Sequence, residues 1–299
     1  MKKINIVFFG SSVFSIYSLI ELYNNTDINI RYVVSKKDKK RGRGEHLHEN
    51  IVVTKAKELD LPVIKVGSLL KNPDQLNTIP WNTIDYCIVV SFGYILPSDI
   101  LCQKPGGFIN LHSSLLPKYR GASPIQQSII NGDMTTGNTI IQLIESVDAG
   151  PILAVQKVSV KSTDTIEQIY PKLAQEGAKL LSATILNLHQ GNVTPVKQND
   201  SKATYTKLIT KKDGYVTLHE KPINIYNKYR AYKLWPGIYT KIGDIEEYLK
   251  ANFNIPNKNT LIKLKDLNLN SKGLLVINKV QLPNRPIIFF QDFINGYKQ

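Results

Sequence analysis

The chain has 299 residues, between one large domain and two ordinary ones of about 150 residues each. At 42% hydrophobic and 21% charged it is neither a disordered tail nor a membrane protein, and no run reaches the roughly 18 uninterrupted apolar residues of a spanning helix. The net charge of +14 is uneven: residues 190–299 hold 18 basic and 8 acidic residues, against 20 and 16 in residues 1–189. That excess points either to a polyanionic partner, nucleic acid or acidic lipid, or to a lysine-rich solubility bias. Two cysteines, Cys87 and Cys102, can make neither a disulfide framework nor a four-thiolate zinc site. The expected setting is cytosolic, with Cys87 a small core residue inside the run YCIVV.

In chain order, MKKINIVFFG has no small-residue cleavage site and reads as a first buried strand rather than a signal peptide. Strands are predicted at Ile4–Gly10, Ile28–Ser35, Asp85–Ser91, Gly107–His112 and Asn138–Ile144, all short and rich in Ile and Val. Helical spacing of apolar residues falls between them, at Val13–Tyr23, Ile51–Leu59 and Ala122–Asn131. This alternation predicts an α/β domain, an open and mostly parallel sheet with helices on both faces, whose ligands belong at the carboxyl ends of the strands. A long helix follows, with Asp164 and Glu167 as its capping pair, Pro171 as an interruption and Gly191 as the stop. Residues 1–190 are therefore expected as one α/β domain and 191–204 as a polar linker. Residues 205–299 are expected as a small all-β domain carrying one helix, Ile223–Lys233. The runs GIYTKIG, LIKLKDL, GLLVINKV and RPIIFF fit a small barrel or sandwich.

Gly10-Ser11-Ser12 sits where a dinucleotide fingerprint would, but the second and third glycines are missing, so a nicotinamide cofactor is not supported. Lys36, Lys37, Lys39, Lys40, Arg41 and Arg43 crowd around a single acid, Asp38. Such a segment is either a solvated loop or a phosphate-gripping loop that orders on RNA, and its place after the second strand favours the latter. Asn110 and His112 end a strand two residues apart, so both side chains leave on one face, roughly 7 Å apart. An amide donor beside an imidazole suits acyl transfer: the amide stabilises an oxyanion and the imidazole holds or moves a proton. Asp148 adds a carboxylate on a turn after the next strand, able to orient the ring. No Ser or Cys stands in a nucleophile motif, which favours direct transfer over a covalent intermediate. No helix-borne His pair or Cys/His cluster suggests a metal.

Asn110-x-His112, Ser114-Leu115-Leu116-Pro117, Arg120-Gly121, Pro124 and Asp148-x-Gly150, in that order, resemble the folate-dependent formyltransferase superfamily. The similarity extends over nearly the whole chain to the members that act on initiator methionyl-tRNA, through FFGSSVFS, SFGYILP, ATYTKL, Arg230-Ala231 and Trp235-Pro236-Gly237. It implies a Rossmann-like catalytic domain followed by an OB-like barrel, cytoplasmic and monomeric. The implied reaction is formyl transfer from 10-formyltetrahydrofolate to the methionine α-amine, with Asn110, His112 and Asp148 catalytic. The resemblance implies donor binding by Ser114, Leu115, Leu116 and Pro117, flanked by Phe92, Tyr94, Ile95 and Leu96, and tRNA contact by the Lys36–Arg43 segment and the C-terminal domain. Ala149 departs from the Thr or Ser more usual after that Asp, which removes a hydroxyl and leaves the carboxylate. Two other readings compete: a formyltransferase for a small amine, and a non-catalytic RNA-binding protein on the same scaffold.

Overall fold

The computed structural model describes residues 2–41, 46–253 and 257–297. Seven strands make the main sheet: β1 (Ile4–Gly10), β2 (Ile28–Lys36), β3 (Val63–Val66), β4 (Tyr86–Val90), β5 (Phe108–His112), β6 (Thr135–Gln142) and β7 (Ile152–Ser159). Their spatial order is β7-β6-β5-β4-β1-β2-β3. The five strands from β5 to β3 run parallel, and β6 and β7 add an antiparallel edge. The chain builds outward from β1 to β3, then returns to the other side of β1 with β4. The crevice at that reversal, beyond the carboxyl ends of β1 and β4, is where open α/β sheets take ligands. β4 and β5 lie next to each other there, because Val89 pairs with Asn110 and Val90 with Leu111.

Both faces of the central strands are covered, which is why they read as continuous apolar runs. On one face Val7, Phe9, Cys87, Val89 and Phe108 pack under Leu69, Leu76, Ile79, Ile84 and Phe92. Phe9 anchors this cluster, with ring centroids 5.5 Å from Phe92 and 6.0 Å from Phe108. Phe9 aligns with Val89 and Val89 with Asn110, so the same face that carries this core carries Asn110 and His112 at its open end.

The α-helices longer than four residues are α1 (Val13–Asn24), α2 (Ile51–Glu58), α3 (Pro124–Ile130), α4 (Ile166–His189), α5 (Pro222–Tyr232), α6 (Ile242–Leu249) and α7 (Phe290–Tyr297). Thr165 and Gln168 cap α4, where Asp164 and Glu167 were expected. The Thr165 N–H donates to Gln168 Oε1 at 2.7 Å, while Asp164 instead accepts from the Lys161 N–H at 2.8 Å. Pro171 lies inside a continuous helix. Lacking an N–H, it forgoes the i→i−4 bond that residue 171 would otherwise donate to Glu167.

By internal contacts the chain forms two compact units. The first comprises residues through Gly121 with Thr135–Ser159 and Tyr170–Tyr205; the second comprises Ala122–Met134, Val160–Ile169 and residues from Thr206 onward. The second unit carries an antiparallel sheet, β8 (Ile238–Lys241), β9 (Leu261–Leu269), β10 (Leu275–Gln281) and β11 (Ile287–Phe289), in that spatial order. All four strands arise from the four apolar runs expected to form them. Within this unit Arg230, 3% exposed, joins α5 to the segment before α4, its Nη1 donating to Asp164 O at 2.7 Å. The stretch 191–204, expected as a linker, pairs with the first unit's sheet edge through a bridge between Val196 and Ile152.

Among the described residues, no helix is long and apolar enough to cross a membrane, and no group of three or more His, Cys, Asp or Glu is placed to hold a metal.

Candidate active site

β5 delivers Asn110 and His112 to the sheet's carboxyl edge, both nearly buried at 9% and 6% exposure. The two differ in their attachments. The Asn110 side chain makes no hydrogen bond to any described residue, so its amide is free to donate to a bound group. His112 is fixed on one side and faces a carboxylate on the other: Nε2 lies 2.9 Å from the Tyr119 carbonyl, and Nδ1 lies 3.5 Å from Asp148 Oδ2. A carbonyl only accepts, so Nε2 carries its proton. The exchangeable proton therefore belongs to Nδ1, on the side facing the carboxylate.

Asp148 sits in the turn after β6, with φ of 49°, a left-handed conformation that Asp tolerates better than most residues. Its Oδ2 accepts from the Gly121 N–H at 2.7 Å. The turn closes because position 150 is glycine: a Cβ there would lie 1.8 Å from the Gln142 carbonyl. Tyr119 is also left-handed, with φ of 64°, which costs about 1–3 kcal/mol for a bulky residue. That conformation aims its carbonyl at His112, while its N–H donates to Thr204 Oγ1 at 2.8 Å.

The segment after β5 folds back on the sheet through one side chain on the neighbouring strand. Thr139, fully buried on β6 opposite His112, donates its hydroxyl to Ser114 O at 2.6 Å and accepts from the Leu116 N–H at 3.2 Å. This shapes Ser114-Leu115-Leu116-Pro117, with Leu116 buried and Leu115 half-buried. The segment Ser91–Pro97 leaves β4 alongside. It is tied to the turn after β1 by Ser11 Oγ, which donates to Phe92 O at 2.6 Å. It is tied to the end of β2 by Lys36, whose Nζ donates to Gly93 O at 2.6 Å and stands 4.3 Å from the Tyr94 ring centroid. Phe92 is buried, Tyr94 and Leu96 are half-buried, and Ile95 is 61% exposed.

Of the basic segment, Lys36 therefore contacts the Ser91–Pro97 loop. Lys39–Arg41 forms a short strand paired antiparallel with His46–His48, where a loop was expected. Each of these strands has three residues, KKR and HLH, too few to carry a period that sequence could show. Lys37 precedes it, and Arg43 lies outside the described residues.

Three groups at the site carried no sequence signal. The Tyr119 carbonyl is backbone, and no residue type predicts its use. Thr139 is one of several threonines on a strand. Gln198 lies in the aperiodic polar stretch, yet it is only 5% exposed and makes four hydrogen bonds, two of them to the Asp148–Gly150 turn.

Comparison with known proteins matches this architecture along its length. The family model described as formyl transferase matches residues 1–185, and the one described as formyl transferase, C-terminal domain, matches residues 208–298. A methionyl-tRNA formyltransferase of Caldicellulosiruptor saccharolyticus is 34% identical over 98% of this chain and 97% of its own. One from Caldanaerobacter subterraneus is 37% identical over 79% and 76%. Among solved structures, an N-formyltransferase of Helicobacter canadensis in complex with folinic acid and dTDP-3-aminofucose superposes with a TM-score of 0.64 at 18% identity, covering 100% of this chain and 98% of that one. A sugar 3N-formyl transferase, solved with dTDP and 5-N-formyl-THF, gives 0.63 at 17%, covering 100% and 97%. With both family models matched and relatives at this identity over nearly the full length, the chain belongs to the formyl transferase family and is a formyltransferase enzyme.

Proposed function

We propose that this enzyme transfers the formyl group of 10-formyltetrahydrofolate to the α-amine of methionine carried by initiator tRNA. The observation that carries the chemistry is the free Asn110 amide beside a His112 fixed by the Tyr119 carbonyl, with its Nδ1 facing Asp148. The amine nitrogen attacks the formyl carbon directly, and the Asn110 amide donates to the carbonyl oxygen as it becomes an oxyanion. The Nδ1 side of His112 and the Asp148 carboxylate take the proton the amine loses. Collapse of the tetrahedral intermediate breaks the bond to folate N10, and that nitrogen recovers the proton. No covalent enzyme intermediate is needed.

The residues fit the donor. Phe92, Tyr94, Ile95, Leu96, Leu115, Leu116 and Pro117 border the carboxyl edge of β4 and β5 with apolar surface, as a flat pterin requires. Ser114 helps shape this segment, its Oγ donating to Lys118 O at 2.6 Å. Two observations support tRNA as acceptor: the full-length relatives named for it, and the concentration of positive charge in residues 190–299 and in Lys37–Arg43. A small amine substrate requires neither. The division into residues 1–190, a linker and residues 205–299 is then a division between chemistry and tRNA affinity.

The test is transfer from 10-formyltetrahydrofolate to charged initiator tRNA by the purified protein, read as N-formylmethionine. Product at catalytic turnover is expected. Absence of that product, with formylation of a small amine instead, would overturn the tRNA assignment.

A further inference from the structure

We infer that Gln198 is a positioning residue for the Asp148–His112 pair, an inference that rests on the proposed function for its catalytic readout. Its amide is fully used. Nε2 donates to Asp148 O at 2.8 Å and to Gly150 O at 2.7 Å, and Oε1 accepts from Arg120 Nη2 at 2.8 Å and Nε at 3.1 Å. Arg120 is 2% exposed and anchored beyond Gln198 by Asp200 Oδ1 at 2.7 Å.

The two segments clasped by this amide are the two that hold His112. Arg120 lies between Tyr119, whose carbonyl accepts from His112 Nε2–H, and Gly121, whose N–H donates to the Asp148 carboxylate. The Asp148–Gly150 turn presents the carboxylate itself. Within that turn the backbone supplies only a long bond, Ala149 N–H to Ser146 O at 3.3 Å. The left-handed Asp148 peptide is thus oriented by a side chain fifty residues away. Gln198 sets the spacing of the carboxylate from Nδ1 by joining both supports into one body.

Only glutamine meets this demand. Glutamate would still pair with Arg120 but would present an anionic oxygen to two carbonyls. Asparagine is one methylene too short, and methionine fills the volume without bonds. Gln198→Glu therefore breaks the bonds to the turn while keeping the cation's partner, and Gln198→Met removes both.

The test is a double-mutant cycle with Asp148→Asn in the tRNA formylation assay. Gln198→Glu and Gln198→Met should each lower kcat about 10–100-fold, as expected for a displacement of up to 1 Å at reacting groups. KM for the formyl donor and for tRNA should stay within about twofold. Added to Asp148→Asn, either variant should cost less than about threefold more, because the group it positions has already lost its charge. A purely structural glutamine would multiply its loss in full. The 15N signal of His112 Nδ1, read without substrate, should move in Gln198→Glu in the direction it moves in Asp148→Asn. Wild-type kcat in either variant, full multiplicativity, an unmoved His112 signal, or loss of the folded protein in both variants would each overturn the inference. A wild-type enzyme inactive on charged tRNA would instead remove the proposed function, and the His112 signal would still decide the role of Gln198.

Discussion

Asn110→Ala separates a catalytic amide from a structural one. Asn110 is nearly buried, yet its side chain bonds to no described residue, so truncation breaks no internal hydrogen bond and strands no partner. The folded protein should lose no more than about 1 kcal/mol from the small void, a shift of about 2–4 °C in Tm for a domain of this size. The oxyanion donor is lost entirely. Removing one such donor typically costs about 10²–10³ in kcat, or about 2.7–4 kcal/mol of transition-state stabilisation. The barrier should therefore rise several times more than stability falls. Single-turnover formyl transfer at saturating donor and tRNA measures the first, and thermal unfolding of the same preparation the second. KM for both substrates should stay near wild type, since the hydrogen bond strengthens only as the oxygen gains charge. A kcat within threefold of wild type, or a Tm loss above about 8 °C tracking the activity loss, would refute the assignment of Asn110 as oxyanion donor.

Thr139→Val keeps the volume but strands the Ser114 carbonyl and the Leu116 N–H beneath the donor segment, so it should cost about 2–4 kcal/mol in urea unfolding. It should also raise KM for 10-formyltetrahydrofolate more than KM for tRNA. Arg230→Met leaves Asp164 O and Asn227 Oδ1 without their charged donor, and loss of about 2–4 kcal/mol is expected on unfolding, with donor binding in the first unit unchanged. Lys57, and next to it Lys65, hold the Glu49 carboxyl at about 2, below its ordinary 4.5. A carboxylate depressed in the folded state stabilises above its unfolded pKa, and that contribution is lost as pH falls from 4.5 through about 2. Glu49→Gln should flatten the pH dependence of the urea midpoint in that window, and an unchanged profile would show the pair to be too solvated to matter. Replacing Lys39, Lys40, Arg41 and Arg43 with Ala should reduce tRNA affinity, and its salt slope by about 0.7–0.9 for each phosphate no longer neutralised, with donor affinity untouched.

Much of this protein is legible from local chemistry. Ile- and Val-rich runs alternating with helical spacing specify a mostly parallel sheet, because only strands buried on both faces are apolar throughout. Asn110 and His112 stand out because a period of two sends both to one face at a strand's end, where such sheets bind ligands. The weakly patterned pieces escape the same reasoning. β3 has four residues, β7 carries polar residues facing solvent along an edge, and α7 begins inside the apolar run RPIIFF, where strand and helix signals coincide.

What tertiary structure alone decides is how those two residues are held. The Tyr119 carbonyl, the Thr139 hydroxyl and the Gln198 amide act across gaps of 7, 25 and 50 positions, on partners that are mainly backbone. A backbone carbonyl has no residue type by which to announce itself, and its direction follows from dihedrals such as the left-handed Tyr119 and Asp148. Gln198 shows the limit most sharply. In sequence it is one polar residue in a stretch without period, and its burial exists only once Arg120 and the Asp148 turn have closed around it. Residue type names the groups able to move a proton or hold an oxyanion; the separations that let them work are set by chain closure, which no local pattern encodes.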